Sequence, residues 1–428
     1  MTVITFENAR LIDPDAGTDA PGMLVVRGGV IVQVNGPRPA TGERLDCGGL
    51  PLAPGIVDLG VKVGEPGERH KEGFRSAGRA AAAGGVTTIV TRPDTAPALD
   101  TPEALVFLRS RARDRCGVNV APMAALTKGR EGREMTEIGF LRDAGAVAFT
   151  DCDRVAEDTR VLSRALSYAG SLGALTVAHV QEPILSAGAA ATSGAFATLR
   201  GLPGVSPMAE RMGLERLIAL AEMTGAPVHA DQITCRAALP ALRRAKGGGA
   251  DLTAGTSIHH LCLNALDVGP WRTFFKVKPP LRPEEDRVAV VEALLDGTID
   301  VLSSWHTPQD EESKRLPFEA AASGAVGLQT LLPAALRLHH EGLADLPALF
   351  RAMSLNPARR LGLAGGRLAE GAPADLTLFD PDAPWRLDRW TLLSKSKNTP
   401  FDGALLQGRV LGTWVGGARV WPEPERPA

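Results

Sequence analysis

Apolar positions alternate or run in short bursts at both ends of the chain and settle into a longer period between them. Residues 2–50 read as strands separated by turns, ITFENARLI and then MLVVRGGVIVQVN, with Gly28-Gly29 where a two-residue hairpin turn calls for positive φ. ADLTLFDP at 374–381 and GRVLGTWVGGARVW at 408–421, around Gly416-Gly417, carry the same signature, so both ends can supply strands to one small sheet. Between them strands and helices alternate. LAPGIVDLGV precedes a helix over about 71–84, VTTIVT a helix from 102, VNVAPM a helix near 135–142, and AVAFTD a long helix over 155–172. ALTVAHV, APVHAD, TAGTSI and IDVLSS then lead into helices at 209–224, 236–245, 284–295 and 326–341. Eight such β/α steps predict a (β/α)8 TIM-type barrel over 53–364, with a small β-sheet domain formed by both termini, 1–52 plus 365–428. A doubly wound open sheet competes, but no GxGxxG follows an early strand.

Composition narrows the partners. The 428 residues are 44% hydrophobic and 22% charged, and Lys+Arg 47 nearly balances Asp+Glu 49, as in an ordinary globular protein. With 4% aromatic residues and a single tyrosine, stacking platforms for single strands are not expected, and nucleic acid is not an expected partner. Five scattered cysteines without CxxC spacing, no basic-then-apolar leader pattern and no membrane-spanning run predict a cytoplasmic protein in a reducing compartment, without membrane contact.

The strand ends collect Asp58, Lys62, Arg92, Asp94, Asp151, His179, His229, Gln232, His259, Trp305 and His306, which a barrel would focus on one mouth. For metal chemistry the collection is thin: Asp151 with Cys152 and Asp153, plus single histidines from separate strands.

Long segments carry a family resemblance: PGIVDLGVKVGEPGERHKE at 54–72, AAAAGGVTTIVTRPDTAPALDTPE at 80–103, KVKPPLRPEEDR at 276–287, GTIDVLSSWHTPQ at 297–309 and SKNTPFDG at 396–403. With VAHVQE, GLPGVSPMAE and SLNPARRLGL they make the whole chain resemble dihydroorotases of the amidohydrolase superfamily. The resemblance implies a barrel with a binuclear zinc site, and at the matching positions the chain departs from it. The HxH pair of the first strand falls on Gly60 and Lys62, and the arginine that holds the substrate carboxylate on Gly64. Asp151 and His179 match a bridging carboxylate and a zinc histidine, whereas Gln232 stands at a ligand place and Trp305 at the general-base aspartate of the family's TDHAPH. Indole neither coordinates zinc nor accepts a proton. Further substrate-pocket positions are changed at Asp94, Lys278 and Gln309.

These departures lead to the expectation of a pseudoenzyme. The surviving ligand-type residues are Asp151 and His179, no metal or other cofactor is expected, and by family analogy the chain would be a homodimer serving as assembly partner of aspartate transcarbamoylase in pyrimidine biosynthesis. Two alternatives remain open: a zinc-dependent cyclic-amide hydrolase of dihydroorotase type with a remodelled metal site, and an anion-binding sensor using Lys62, Arg92 and Lys278. Within the mouth, Lys62 is expected to pair with Asp151, and Arg92 and Lys278 with Asp94. Trp305 is expected to plug the vacated metal cavity, His306 and His259-His260 to be structural, and His339-His340 to face solvent.

Overall fold

A computed structural model describes residues 3–423. Both chain ends meet in one mixed sheet. Its order runs Ala418–Trp421, Leu405–Val415, Leu376–Arg386, Pro51–Pro54, Val3–Asp13, Thr18–Arg27, Val30–Val34, with Glu43–Asp46 also on Val3–Asp13. The hairpin at Gly28-Gly29 (φ +58° and +85°) and that at Gly416-Gly417 form where the sequence places them, because both turn residues adopt left-handed backbone that glycine enters without a Cβ clash. Phe6 and Trp414, one from each end of the chain, meet edge-to-face at 4.9 Å in the core of this sheet.

The middle of the chain forms parallel strands. Ile56–Val61, Val86–Thr91 and Asn119–Pro122 make one sheet, and Thr176–His179, Val228–Asp231, Leu252–Ser257 and Val301–Ser303 another. Phe149 joins them by single parallel bridges to Ala124 and Thr176, so AVAFTD contributes one bridging position where a strand was expected. At the other edge the Lys62 N–H donates to the His306 carbonyl at 2.8 Å, and Ser304 N–H to the Asp58 carboxylate at 2.7 Å. The eight segments thus run in the order that a (β/α)8 barrel requires.

Alternation along the strands decides which side chains face inward. Val228 and Ala230 pack in the large core shared with the helices, while Val177 belongs to the separate inner cluster with Val57, Leu59, Val90 and Val301. Asp231 and His179 are register partners, so both aim inward at the C-terminal ends of their strands. The helix expected over 326–341 starts only at Leu331, because Val326 and Gly327 spend their N–H groups on the Asn398 carbonyl and on His306 Nδ1. The pair expected to face solvent splits: His340 is exposed, whereas His339 is half-buried with Nδ1 bonded to the Ala344 carbonyl.

Candidate functional site

Three strand-end residues hold left-handed backbone that non-glycine residues seldom adopt: Cys152 (φ +58°), Gln232 (φ +56°) and Trp305 (φ +46°). Such conformations cost about 1–3 kcal/mol each and cluster where a chain must aim side chains at one place. Here they converge on the mouth.

Trp305 fills its floor. The indole is 6% exposed and lies against Gly60, where an added Cβ would stand 3.3 Å from the ring. The Arg92 guanidinium sits 4.6 Å from the ring centroid, and Trp305 Nε1 donates to Asp231 Oδ1 at 3.1 Å. Gln232 spans the neighbouring gap with its amide turned so that nitrogen donates to the Lys278 carbonyl (2.7 Å) and oxygen accepts from Trp305 Nε1 (3.3 Å).

Two of the expected ion pairs form differently. Lys62 points away from Asp151: its ammonium pairs with Glu68 at 2.8 Å and Asp94 at 3.5 Å. Asp151 is satisfied by the loop opposite, its Oδ1 accepting from Leu126 N–H (3.1 Å) and Thr127 N–H (3.0 Å) and its Oδ2 from Thr127 Oγ1 (2.6 Å). Two backbone N–H groups and one hydroxyl, all from Leu126 and Thr127, take the place of the expected lysine. Arg92 does clamp Asp94, at 2.6 Å, but Lys278 reaches Asp153 instead, at 3.3 Å to the carboxylate and 2.9 Å to the carbonyl. Burial opposes the ionisation of Asp153, yet Lys278, Arg92 and Arg130 together hold its carboxyl well below the usual range.

Two positions assigned to the former substrate pocket have other work. Gly64 turns the chain so tightly that a Cβ would lie 2.3 Å from the Glu68 carbonyl. Gln309 hands its N–H to Asn398 and its amide nitrogen to the Ser323 carbonyl, and it lines a separate cavity of about 370 Å³ with Lys314 and Trp390. His306 is locked structurally between Glu72 (3.4 Å) and Gly327 N–H, and His260 between Ser257 and the Pro279 carbonyl. Burial drives the Cys152 thiol up, with Asp94 adding to the effect, so it stays protonated and a poor nucleophile.

What remains free is small and polar. His179 is buried with neither ring nitrogen hydrogen-bonded, and burial, then Lys278, push it down to about 3, so the imidazole is neutral at physiological pH. It lines a cavity of about 320 Å³ with Arg130, Asp151, Asp153 and Lys278. One strand over, burial raises Asp231 to about 7, against the opposing pull of Trp305 and Arg92. Sequence reasoning passed over Asp231 and Arg130. Asp231 could have been found from the alternation in VHAD, which places it on the same side as His229. His229 itself bonds Thr253 Oγ1 at 2.8 Å through Nδ1 and leaves Nε2 unpartnered.

These residues do not fit a binuclear zinc centre. Gly60 has no donor, Lys62 is engaged in salt bridges, both Asp151 oxygens are spent on the 126–127 loop, and indole occupies the floor. Among the described residues no three His, Cys, Asp or Glu side chains converge as a metal site.

Comparison with known proteins gives a consistent likeness. Residues 49–237 match the family described as Dihydro-orotase-like. The dihydroorotase of Desulforapulum autotrophicum is 38% identical over 422 residues, covering 98% of this chain and 99% of the relative, and that of Syntrophus aciditrophicus is 38% identical over 423 residues, with the same coverage. Among solved structures, the L-hydantoinase (dihydropyrimidinase) from Arthrobacter aurescens superposes with a TM-score of 0.90 at 24% identity, covering 100% of this chain and 98% of that one, a likeness of fold. Relatives named dihydroorotase and similar along the whole chain overturn the expectation of a non-catalytic assembly partner of aspartate transcarbamoylase: missing ligand-type residues alone do not show loss of activity.

Proposed function

This chain belongs to the dihydroorotase family, and we propose that it hydrolyses a cyclic amide of the dihydroorotate class, using the acid–base and cationic side chains of a remodelled barrel mouth. The observation that carries the reading is the register pairing of Asp231 with His179 on neighbouring strands, His179 lining a cavity with Lys278 and Arg130. The parallel strands are read as one closed (β/α)8 barrel, whose strand ends hold all four residues or the loops that carry them.

The chemistry follows from charge and protonation. A carboxyl titrating near 7 is suited to take a proton from water and return it, because each direction is then nearly balanced at working pH. As water oxygen bonds to the ring carbonyl carbon, Asp231 takes the water proton, and negative charge develops on the carbonyl oxygen. Lys278 supplies positive charge there, and neutral His179 supplies an N–H donor, a role for which an imidazole of low pKa is fitted. The carbon–nitrogen bond then breaks, and protonated Asp231 delivers its proton to the leaving ring nitrogen. Arg130, held to Asp153 at 2.7 Å, adds a cation that favours a substrate bearing a carboxylate.

The test is hydrolysis of dihydroorotate, with hydantoin and dihydrouracil as carboxylate-free comparisons. Turnover that falls by at least about 100-fold in Asp231→Asn supports the assignment. Tight substrate binding without turnover in the parent protein would make the mouth a binding site only and refute it.

A further inference from the structure

A further cavity among the described residues is rimmed by basic side chains and shares no lining residue with the mouth. It holds about 480 Å³ and is bordered by Arg69, Arg75, Arg79, Arg115 and Lys395. The chain as a whole carries a formal net charge of −2, so this cluster is a local feature and not general basicity. The acids nearby are already engaged. Glu65, which itself lines the cleft, pairs with Arg111 at 2.8 Å and Arg69 at 3.6 Å and accepts weakly from Phe74 N–H at 3.4 Å, and Glu423 pairs with Arg79. Lys395 is fixed by donating to the Arg69 carbonyl at 2.8 Å. Among the described residues Arg75 and Arg115 have no carboxylate within salt-bridge distance, which leaves a surplus of three positive charges around the cleft.

The arrangement opposes local stability on two counts. Arg75 and Arg79 stand four residues apart on the helix Phe74–Ala83, and like charges at that spacing destabilise a helix. Arg75 also lies in its first turn, where the dipole favours anions, and that turn contains no acidic residue. A bound anion would relieve both effects. Guanidinium forks suit phosphate oxygens, and the lining includes no Phe, Tyr or Trp on which a base could stack. A single phosphate brings about −1.5 to −2 charges, less than the surplus, whereas a chain of two or three matches it.

We propose that this cleft binds the phosphate chain of a small polyphosphate, with Arg75 and Arg115 as its principal ligands and without regard to any attached base. The experiment titrates the full chain with sodium tripolyphosphate, ATP and UTP by calorimetry, at low salt and at about 150 mM salt, where surface attraction is screened within about 8 Å. The expected result is saturable binding of all three probes with affinities within about threefold of one another. Arg75→Gln/Arg115→Gln should weaken it at least tenfold, and Lys278→Gln should leave it unchanged. In the absence of ligand the double variant should melt no lower than the parent, which separates lost binding from lost folding. No saturable heat, binding retained by the double variant, or binding abolished by Lys278→Gln would each overturn the proposal, the last by placing the phosphates in the mouth.

Discussion

Asp231→Asn should make the protein more stable at alkaline pH while abolishing turnover. In the fold the carboxyl titrates near 7, against 3.8 for an unperturbed group, because burial penalises its charged form. A raised carboxyl keeps its proton in the native state after the unfolded chain has lost it. Between pH 3.8 and about 7 the native state therefore binds the extra proton, stability falls as pH rises, and the full penalty stands above about 7. Three pKa units at about 1.4 kcal/mol each set an upper bound near 4 kcal/mol. Asparagine cannot ionise, yet it still offers an oxygen to Trp305 Nε1, so the floor keeps its hydrogen bond. Urea unfolding at pH 5 and pH 8 measures the effect. About a third of the penalty has accrued at pH 5 and nearly all of it at pH 8, so the gain in the variant should be larger at pH 8 by up to about 2.6 kcal/mol. An equal gain at both values, or a loss at pH 8, would refute the assignment of a buried, near-neutral carboxyl.

Acid acts in the opposite direction. Burial pushes His179, His229 and His260 down to about 3 and His259 to about 4, so between those values and 6.5 the unfolded chain binds protons that the fold refuses; unfolding titrations should show stability falling steadily below about pH 6.5. Arg282 and Glu210 form a fully buried pair at 3.0 Å, so Arg282→Met alone should lose about 3–5 kcal/mol in guanidinium unfolding, and Arg282→Met/Glu210→Leu should lose less. Trp305→Ala removes a nearly buried indole, its bond to Asp231 and its contact with Arg92, and should lower unfolding free energy by about 3–5 kcal/mol, with Trp305→Phe losing less. A double-mutant cycle on Lys62→Met and Asp151→Asn should be additive within about 0.5 kcal/mol, because the two side chains have separate partners.

Period and turn chemistry made the architecture legible. Alternating runs at both ends, closed by Gly-Gly turns, point to one sheet, and the strand–helix alternation between them points to the parallel strands. Trp305 was legible as a filler because a large apolar group stands opposite Gly60, and loss of side-chain volume at one place invites its gain at the other. The ion pairs were not legible. Which carboxylate a lysine reaches depends on loop paths, and nothing local revealed that the 126–127 backbone would satisfy Asp151 while the 64–68 turn brought Glu68 to Lys62. Asp231 stands out only from strand alternation, which directs it to the mouth, because it sits beside the lost-ligand position Gln232. The functional expectation failed for a related reason: counting missing ligands measures departure from one mechanism and says little about what the remaining polar groups can do.

Steady-state hydrolysis of dihydroorotate by protein dialysed against a strong chelator, followed from pH 5 to 9, tests the central claim most directly. The predicted result is turnover that survives chelation, rises with pH through about 7 as Asp231 ionises, and is lost in Asp231→Asn. Turnover that vanishes on chelation and returns with zinc, or no turnover at any pH, would contradict it.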